Sequence, residues 1–196
     1  MHVVVFDVMD TLLHDPYREA YEAATGMIFD EFRSRGTEPA YRALERSEID
    51  EGTYWSVVRD AGVAVDEDRF HATRRETYRW LPGMRELLER TVARGRVVLS
   101  SNYPAAWIAD VRTRFFDDLP VEVCGSCELG ACKPERAFFD RLRDRNGLDP
   151  ARTVLVDDAA RNVDSAVAAG WHGVLHRDAA GTSEALEAFG ARLSDG

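Results

Sequence analysis

Short apolar runs rich in β-branched residues set the frame of this chain. They fall at residues 2–6, 96–100, 121–124 and 153–156, with a weaker fifth at 172–176. None alternates polar with apolar residues, so each suits a strand of a parallel sheet buried on both faces. Between them lie stretches with helical spacing. Residues 83–94 carry apolar side chains at 84, 87, 88 and 92, with Gly95 as a C-terminal stop. Residues 105–116, 135–145 and 162–169 read the same way. Strand and helix in alternation predict an α/β fold with a doubly wound parallel sheet.

One connection is too long for that pattern. About 65 residues separate the first strand from the helix before the second, and none of them reads as a strand. Helical periodicity runs through 16–34, 38–47, 53–60 and 66–79, broken by Gly36, Pro39, Gly52 and Gly62. The expected organisation is an α/β core from residues 1–13 and 81–196, with a small all-helical subdomain, 14–80, inserted after the first strand.

Charge narrows the function classes. Lys and Arg total 25 against 35 Asp and Glu, a net charge of −10, which lacks the positive field that nucleic acids and anionic membranes require. No apolar run approaches the ~18 residues that span a bilayer. No basic stretch followed by an apolar one precedes the first strand, so the expected location is cytoplasmic. Cys124, Cys127 and Cys132 lie within nine residues. An odd number, with no histidine between residues 72 and 171, reads as reduced thiols rather than a disulfide framework or a zinc site. Of the basic residues, only Lys133 is a lysine, a compact ammonium in a chain that otherwise uses the planar fork of arginine.

In open α/β sheets, ligands bind beyond the carboxyl ends of the strands. The first strand is followed by Asp7, Asp10 and Thr11, the second by Ser101 and Asn102, the third by Lys133 and Pro134, and the fourth by Asp157 and Asp158. Carboxylates from two strand ends can share one Mg²⁺, a cation that takes hard oxygen ligands and offsets the repulsion of an incoming anion. A carboxylate can act as a nucleophile, with lysine and hydroxyl stabilising charge on the transferred group.

These residues resemble the motifs of the haloacid dehalogenase (HAD) superfamily. Val4-Val5-Phe6-Asp7-Val8-Met9-Asp10-Thr11-Leu12 is similar to its first motif and Ser101-Asn102 to its second. Gly130-Ala131-Cys132-Lys133-Pro134 resembles the third, and the run from Val156-Asp157-Asp158 through Asn162 to Ala169-Gly170 the fourth. The helical insertion resembles the family's cap of the first type. The resemblance implies a Rossmann-like sheet, Asp7 as nucleophile, and Asp7, Asp158 and the backbone carbonyl of Met9 as Mg²⁺ ligands. It implies Ser101 and Lys133 as catalytic groups, Thr11 and Asn102 as substrate-binding, and Asp157 and Asn162 beside the metal. The expected substrate is a small, phosphorylated molecule, the expected assembly a monomer or homodimer.

One position departs from the pattern. Phosphatases of the family carry a second aspartate two residues after the nucleophile, which protonates the leaving oxygen and later activates water. Here Met9 stands there, and methionine carries no proton. Four readings follow: a leaving group that needs little protonation; a substitute acid, with Asp10 first and His14 or Asp15 as alternatives; carbon–halogen cleavage, for which Arg18, Arg33 and Arg35 are candidate carboxylate partners; or a ligand-binding relic without turnover. The family's dehalogenases also lack that second aspartate, but they carry uncharged residues where Asp157-Asp158 stands. Among smaller features, Asp15-Pro16 reads as a helix start. Tyr54, Trp55, Tyr78 and Trp80 read as core of the helical part, with Trp80 near the cleft. The loops at Glu51-Gly52-Thr53 and Gly62 are candidates to reach the site.

Overall fold

The computed structural model describes residues 2–194; the expected core segments 1–13 and 81–196 run past this range at either end. Its centre is a five-stranded, wholly parallel sheet in the order β3-β2-β1-β4-β5. The strands are β1 (Val3–Asp7), β2 (Arg96–Ser101), β3 (Glu122–Gly125), β4 (Thr153–Asp157) and β5 (His172–Leu175). Every residue of β1 and β4 is buried, as strands covered by helices on both faces must be. Four strands run one residue beyond the apolar pattern, and three of them end on Asp7, Ser101 and Asp157. The polar residue belongs to the ladder because its backbone pairs like any other. β5, an edge strand, is largely exposed.

Helices α6 (Met84–Arg94), α7 (Ala105–Val111), α8 (Ser126–Leu129), α9 (Arg136–Asn146), α10 (Ala160–Ala168) and α11 (Ala179–Ser194) complete the crossovers and the carboxyl-terminal layer. The helix expected over 105–116 changes at Arg112 to a π-helical turn ending at Phe116. The sequence pattern gives no sign of α8, a single turn, or of α11, whose amphipathic signal is diluted by Gly181 and Gly190.

Between β1 and α6 lie α1 (Tyr17–Thr25), α2 (Phe29–Ser34), α3 (Glu38–Glu45), α4 (Glu51–Asp60) and α5 (Glu67–Thr77). Asp50 and Asp66 cap α4 and α5 by accepting the Thr53 and Arg69 amides at 2.7 and 2.9 Å. An aromatic cluster holds these helices together. Tyr21 stacks on Phe32 at 4.3 Å, Trp55 meets Phe70 edge-on at 5.0 Å, and Phe70 lies 5.0 Å from Trp107 of α7. Trp107 also donates to Glu51 at 2.8 Å, so this indole is one of the contacts that dock the helices on the sheet part. Tyr54, Trp55 and Tyr78 are buried core residues. Trp80 packs 5.5 Å from Phe116, beneath Arg85, and not in the cleft. None of the described helices is long and apolar enough to cross a membrane.

β1 has β2 on one side and β4 on the other, so the strand order reverses at its carboxyl end and leaves a crevice there. At the far edge the backbone of β5 approaches α10 closely. A Cβ on Gly173 would meet Val163 Cγ1 at 2.6 Å and Val167 Cγ2 at 3.1 Å, and β-branched side chains on a helix have little freedom to turn away. Gly173→Ala is expected to lower stability by about 1–3 kcal/mol, read as a lower urea midpoint with an unchanged slope; an unchanged midpoint would mean α10 yields without cost.

Candidate active site

Lys133 stands at the middle of the crevice. Its ammonium lies 2.5 Å from Asp7 Oδ1 and 2.8 Å from Asp157 Oδ2, with the Ser100 carbonyl at 3.4 Å. Lys133 is 2% exposed, and Asp7 and Asp157 are also buried. Burial pulls an ammonium down, but the charges of Asp157 and Asp7 outweigh it and hold Lys133 above its usual value. Burial, together with Asp157 and Asp158, holds Asp7 well above the usual carboxylate range against the pull of Lys133.

The backbone that delivers Lys133 is clasped from the end of β2. Asn102 Nδ2 donates to the Lys133 carbonyl and Asn102 Oδ1 accepts the Lys133 amide, both at 2.8 Å. Asn102 lines the cavity as expected of a substrate-binding residue, yet its amide is engaged in this clasp, which gives it a positioning role. Thr11, also expected on the substrate side, lies behind the cavity. It is fully buried, its hydroxyl accepts the Asp158 amide at 3.1 Å, and it is not among the residues that line the cavity. It ties the loop after β1 to the loop after β4 because a threonine this deep must spend its oxygen on backbone.

Asp157 is fully committed. Beyond Lys133 it accepts from the Ala159 amide and from Asn162 Nδ2, both at 2.9 Å. Asp7, Asp157 and Asp158 can each offer an oxygen such that the three atoms lie within 4.8 Å of one another. Asn162 Oδ1, buried nearby, has no hydrogen-bond partner among the described residues. Several carboxylates facing one ammonium, with a spare amide oxygen at hand, form the hard-oxygen set that suits Mg²⁺. The donor chemistry therefore fits the expected metal.

The cavity beside this cluster measures about 470 Å³, within the usual range for small-molecule sites. The α/β part contributes Asp7, Met9, Asp10, Ser101, Asn102, Lys133, Asp158, Arg161 and Asn162. The opposite wall comes from the start of the helical part: Asp15, Tyr17, Phe29, Arg33, Glu38, Tyr41, Arg42 and Glu45. The loops at Glu51-Gly52-Thr53 and at Gly62 do not reach it; Glu51 faces Trp107 and His71 instead. Of the arginines singled out, Arg33 lines the cavity, while Arg18 pairs with Asp30 and Arg35 with Glu31. His14 is tied to Glu19 at 2.6 Å. The sequence reading missed Glu45 and Arg42, whose separation of three on one helix face was the available signal. Glu45 Oε2 meets Arg42 at 2.9 Å, yet burial outweighs that partner and pushes its carboxyl up to about 7. A second cavity of about 480 Å³, between β5 and α11, has no carboxylate or lysine in its wall.

Met9 and Asp10 differ from each other as their surroundings require. Met9 is 8% exposed and belongs to the main hydrophobic cluster. Asp10 is exposed and adopts φ 56°, a left-handed conformation that favours glycine and that aspartate tolerates better than most residues. Its Oδ1 accepts the Asp15 amide at 3.0 Å, so the carboxylate stabilises the loop it belongs to. The three cysteines are free thiols, as expected.

Lys133 neutralises two buried carboxylates that have no other ion-pair partner among the described residues. Lys133→Met, which keeps the volume and removes the charge, is expected to cost about 3–5 kcal/mol in chemical denaturation. Asp7→Asn should cost much less, because the ammonium retains Asp157. Equal losses would show that the ion pairs do not hold this region.

Comparison with known proteins follows this geometry. The chain is 26% identical over 194 residues to a chloroplast flavin mononucleotide hydrolase of Arabidopsis thaliana, a match covering 98% of this chain and 79% of that one. Among solved structures it resembles a HAD family enzyme of Bacteroides thetaiotaomicron in complex with magnesium and inorganic phosphate. There the TM-score is 0.67 at 18% identity, over 90% of this chain and 94% of that one. It also resembles the L-2-haloacid dehalogenase of Xanthobacter autotrophicus, with a TM-score of 0.65 at 19% identity, over 89% of this chain and 77% of that one. At such identities the likeness establishes the fold. Residues 1–170 match the haloacid dehalogenase-like hydrolases, and the chain belongs to that family of enzymes.

Proposed function

We propose that this hydrolase is a Mg²⁺-dependent phosphohydrolase acting on a small phosphorylated metabolite through a phosphoryl group carried on Asp7. The observation that carries the reading is the convergence of Asp7, Asp157 and Asp158 at the carboxyl ends of adjacent strands, the first two paired with Lys133. Halide leaves carbon without protonation, and its displacement has no use for a second carboxylate pair at the end of β4. Transfer of a phosphoryl group does, since its charge must be balanced.

In this reading Asp7, Asp158 and the Met9 carbonyl hold Mg²⁺, which supplies charge compensation for the transferring group. Lys133 fixes the attacking oxygen of Asp7 and draws negative charge toward itself. Ser101, buried at the end of β2 and lining the cavity, offers a hydroxyl to the phosphoryl oxygens. Residues 14–80 act as a cap, whose first three helices shape the substrate side of the cavity and restrict water. The aromatic wall of Tyr17, Phe29 and Tyr41, with Arg33, Arg42 and Arg161 around it, suits a ligand that combines a flat ring with anionic groups. The resemblance to a flavin mononucleotide hydrolase makes that nucleotide the first substrate to try.

Phosphate release is expected from flavin mononucleotide and from p-nitrophenyl phosphate in Mg²⁺. Activity should fall to the blank with a chelator and in the Asp7→Asn protein. Turnover that ignores the chelator would refute the metal-dependent reading, and release of halide from a 2-haloacid under the same conditions would replace it with dehalogenation.

A further inference from the structure

Hydrolysis of an alkyl phosphate needs a proton donor, and at the position where the family's phosphatases carry one, this chain has a methionine set in the core. Other carboxyls line the cavity. Glu38 and Glu45 both pair with Arg42, at 3.1 and 2.9 Å. Asp10 is exposed and spends one oxygen on the Asp15 amide. Asp15 is different: half-buried, it takes part in no ion pair among the described residues. Its Oδ1 accepts the Tyr17 amide at 3.1 Å and the Tyr103 hydroxyl at 3.4 Å, while Oδ2 has no hydrogen-bond partner among the described residues.

Behind Asp15 runs a buried chain of polar groups. Tyr103 Oη meets Tyr78 Oη at 2.7 Å, and Tyr78 Oη accepts from Arg74 Nη1 at 2.8 Å. All three residues are buried, Arg74 at 2% exposure. Tyr103 follows the Asn102 clasp, Tyr78 lies where the helical part returns to the sheet, and Arg74 sits on α5. A series of buried hydroxyls ending on a carboxyl at the cavity wall is costly to assemble and fixes that carboxyl in place.

We infer that Asp15 is the catalytic acid and base of this enzyme, in the role Met9 cannot fill, and that Tyr103, Tyr78 and Arg74 are its positioning residues. The inference rests on the phosphohydrolase reading. In the first step an Asp7 oxygen bonds to phosphorus as the bond from phosphorus to the leaving oxygen breaks, and the Asp15 proton passes to that oxygen. In the second, the Asp15 carboxylate takes a proton from water as the water oxygen bonds to phosphorus. The bond between phosphorus and Asp7 breaks, phosphate departs, and both aspartates return to their starting forms.

The electrostatics agree. Burial first, then the charge of Asp10, push the Asp15 carboxyl up to about 7 against the pull of the Tyr17 amide and the Tyr103 hydroxyl, with Glu19 adding to the rise. Glu19 faces His14 at 2.6 Å; Tyr41 of α3 and Tyr78 are the other titratable groups turned toward Asp15, and Arg74 is the cation at the end of the chain. Asp15 thus carries its proton below about pH 7 and loses it above, so turnover that needs the acid falls on the alkaline side.

The test compares flavin mononucleotide, with its alkyl leaving group, and p-nitrophenyl phosphate, whose leaving group needs no proton. Asp15→Asn is expected to lower kcat/KM, which reads the steps through departure of the leaving group, by about 10²–10⁴-fold on the first and by less than about tenfold on the second, while the shared hydrolysis of the phosphoryl-Asp7 slows for both. It should also abolish the fall in kcat/KM for flavin mononucleotide above neutral pH. Tyr103→Phe removes a hydrogen bond that favours the charged carboxyl, so it should move that fall to higher pH; this arm decides the matter if Asp15→Asn does not fold. Equal losses of kcat/KM on both substrates, an alkaline limb unmoved by either variant, or the same selectivity in Asp10→Asn instead would overturn the assignment. A wild-type protein that releases phosphate from neither substrate would overturn the phosphohydrolase reading and this one with it. An active wild type with Asp15→Asn unimpaired on the alkyl ester would overturn this one alone.

Discussion

The buried ammonium of Lys133 is the contact on which the rest of the site depends. Asp7 and Asp157 end adjacent strands, and two carboxylates brought that close in a low-dielectric interior repel strongly. Lys133, arriving from beyond β3, lets both strands keep their acidic ends. The clasp from Asn102 fixes the backbone of Lys133, and Thr11 fixes that of Asp158. Four loops are thereby locked to one another by side chains that point at neighbouring backbone rather than at a ligand. Such pre-organisation is what an electrostatic site requires, since groups already in place need not reorganise during reaction.

The second wall of the cavity obeys different physics. It is made by helices joined through aromatic packing, and it meets the sheet part at Trp107, at Tyr103 through Tyr78, at Asp110 through Arg74 and Arg75, and at the two crossings near His14 and Arg79, whose backbones are hydrogen-bonded at 2.9 Å. Within it Arg42 pairs with Glu38 and Glu45, while Arg46 reaches across to Glu135 of the sheet part. Ser126 of the sheet part also donates to the Glu45 carbonyl at 2.6 Å. The carboxyl end of α3 is therefore tied down beside Lys133, while Phe29 and Arg33 line the cavity from a helix with fewer ties.

Much of the fold was legible because its signals are local. Unalternated apolar runs mark buried parallel strands, and polar residues that close those runs mark the crevice; Asp7, Ser101, Lys133 and Asp158 all lie on the wall expected from them. What was less legible depends on distant partners. Thr11 looks like a ligand-binding hydroxyl until the Asp158 amide, far along the chain, is seen to occupy it. Trp80 lies at the right place in sequence to enter the cleft, but Phe116 draws it away. The helical wall was misassigned to the loops near Gly52 and Gly62 because sequence shows where a helix breaks and not which of its ends faces the sheet.

Met9 and Asp15 show how one constraint shifts chemistry along a loop. The turn after β1 folds back on itself: Leu12 and Leu13 donate to the Val8 carbonyl at 2.9 Å, and Asp10 to that of Leu13 at 2.7 Å. That turn gives Met9 to the hydrophobic cluster, where an aspartate would have to be desolvated or turned into the cavity. The carboxyl that reappears at Asp15 stands at the first crossing into the helical part, held through Tyr103 by the sheet and through Tyr78 and Arg74 by the second crossing and α5. A donor at the second residue of the loop would answer only to β1. At Asp15 the carboxyl answers to both halves of the protein at once, so its pKa and its aim both depend on how the helical part sits on the sheet.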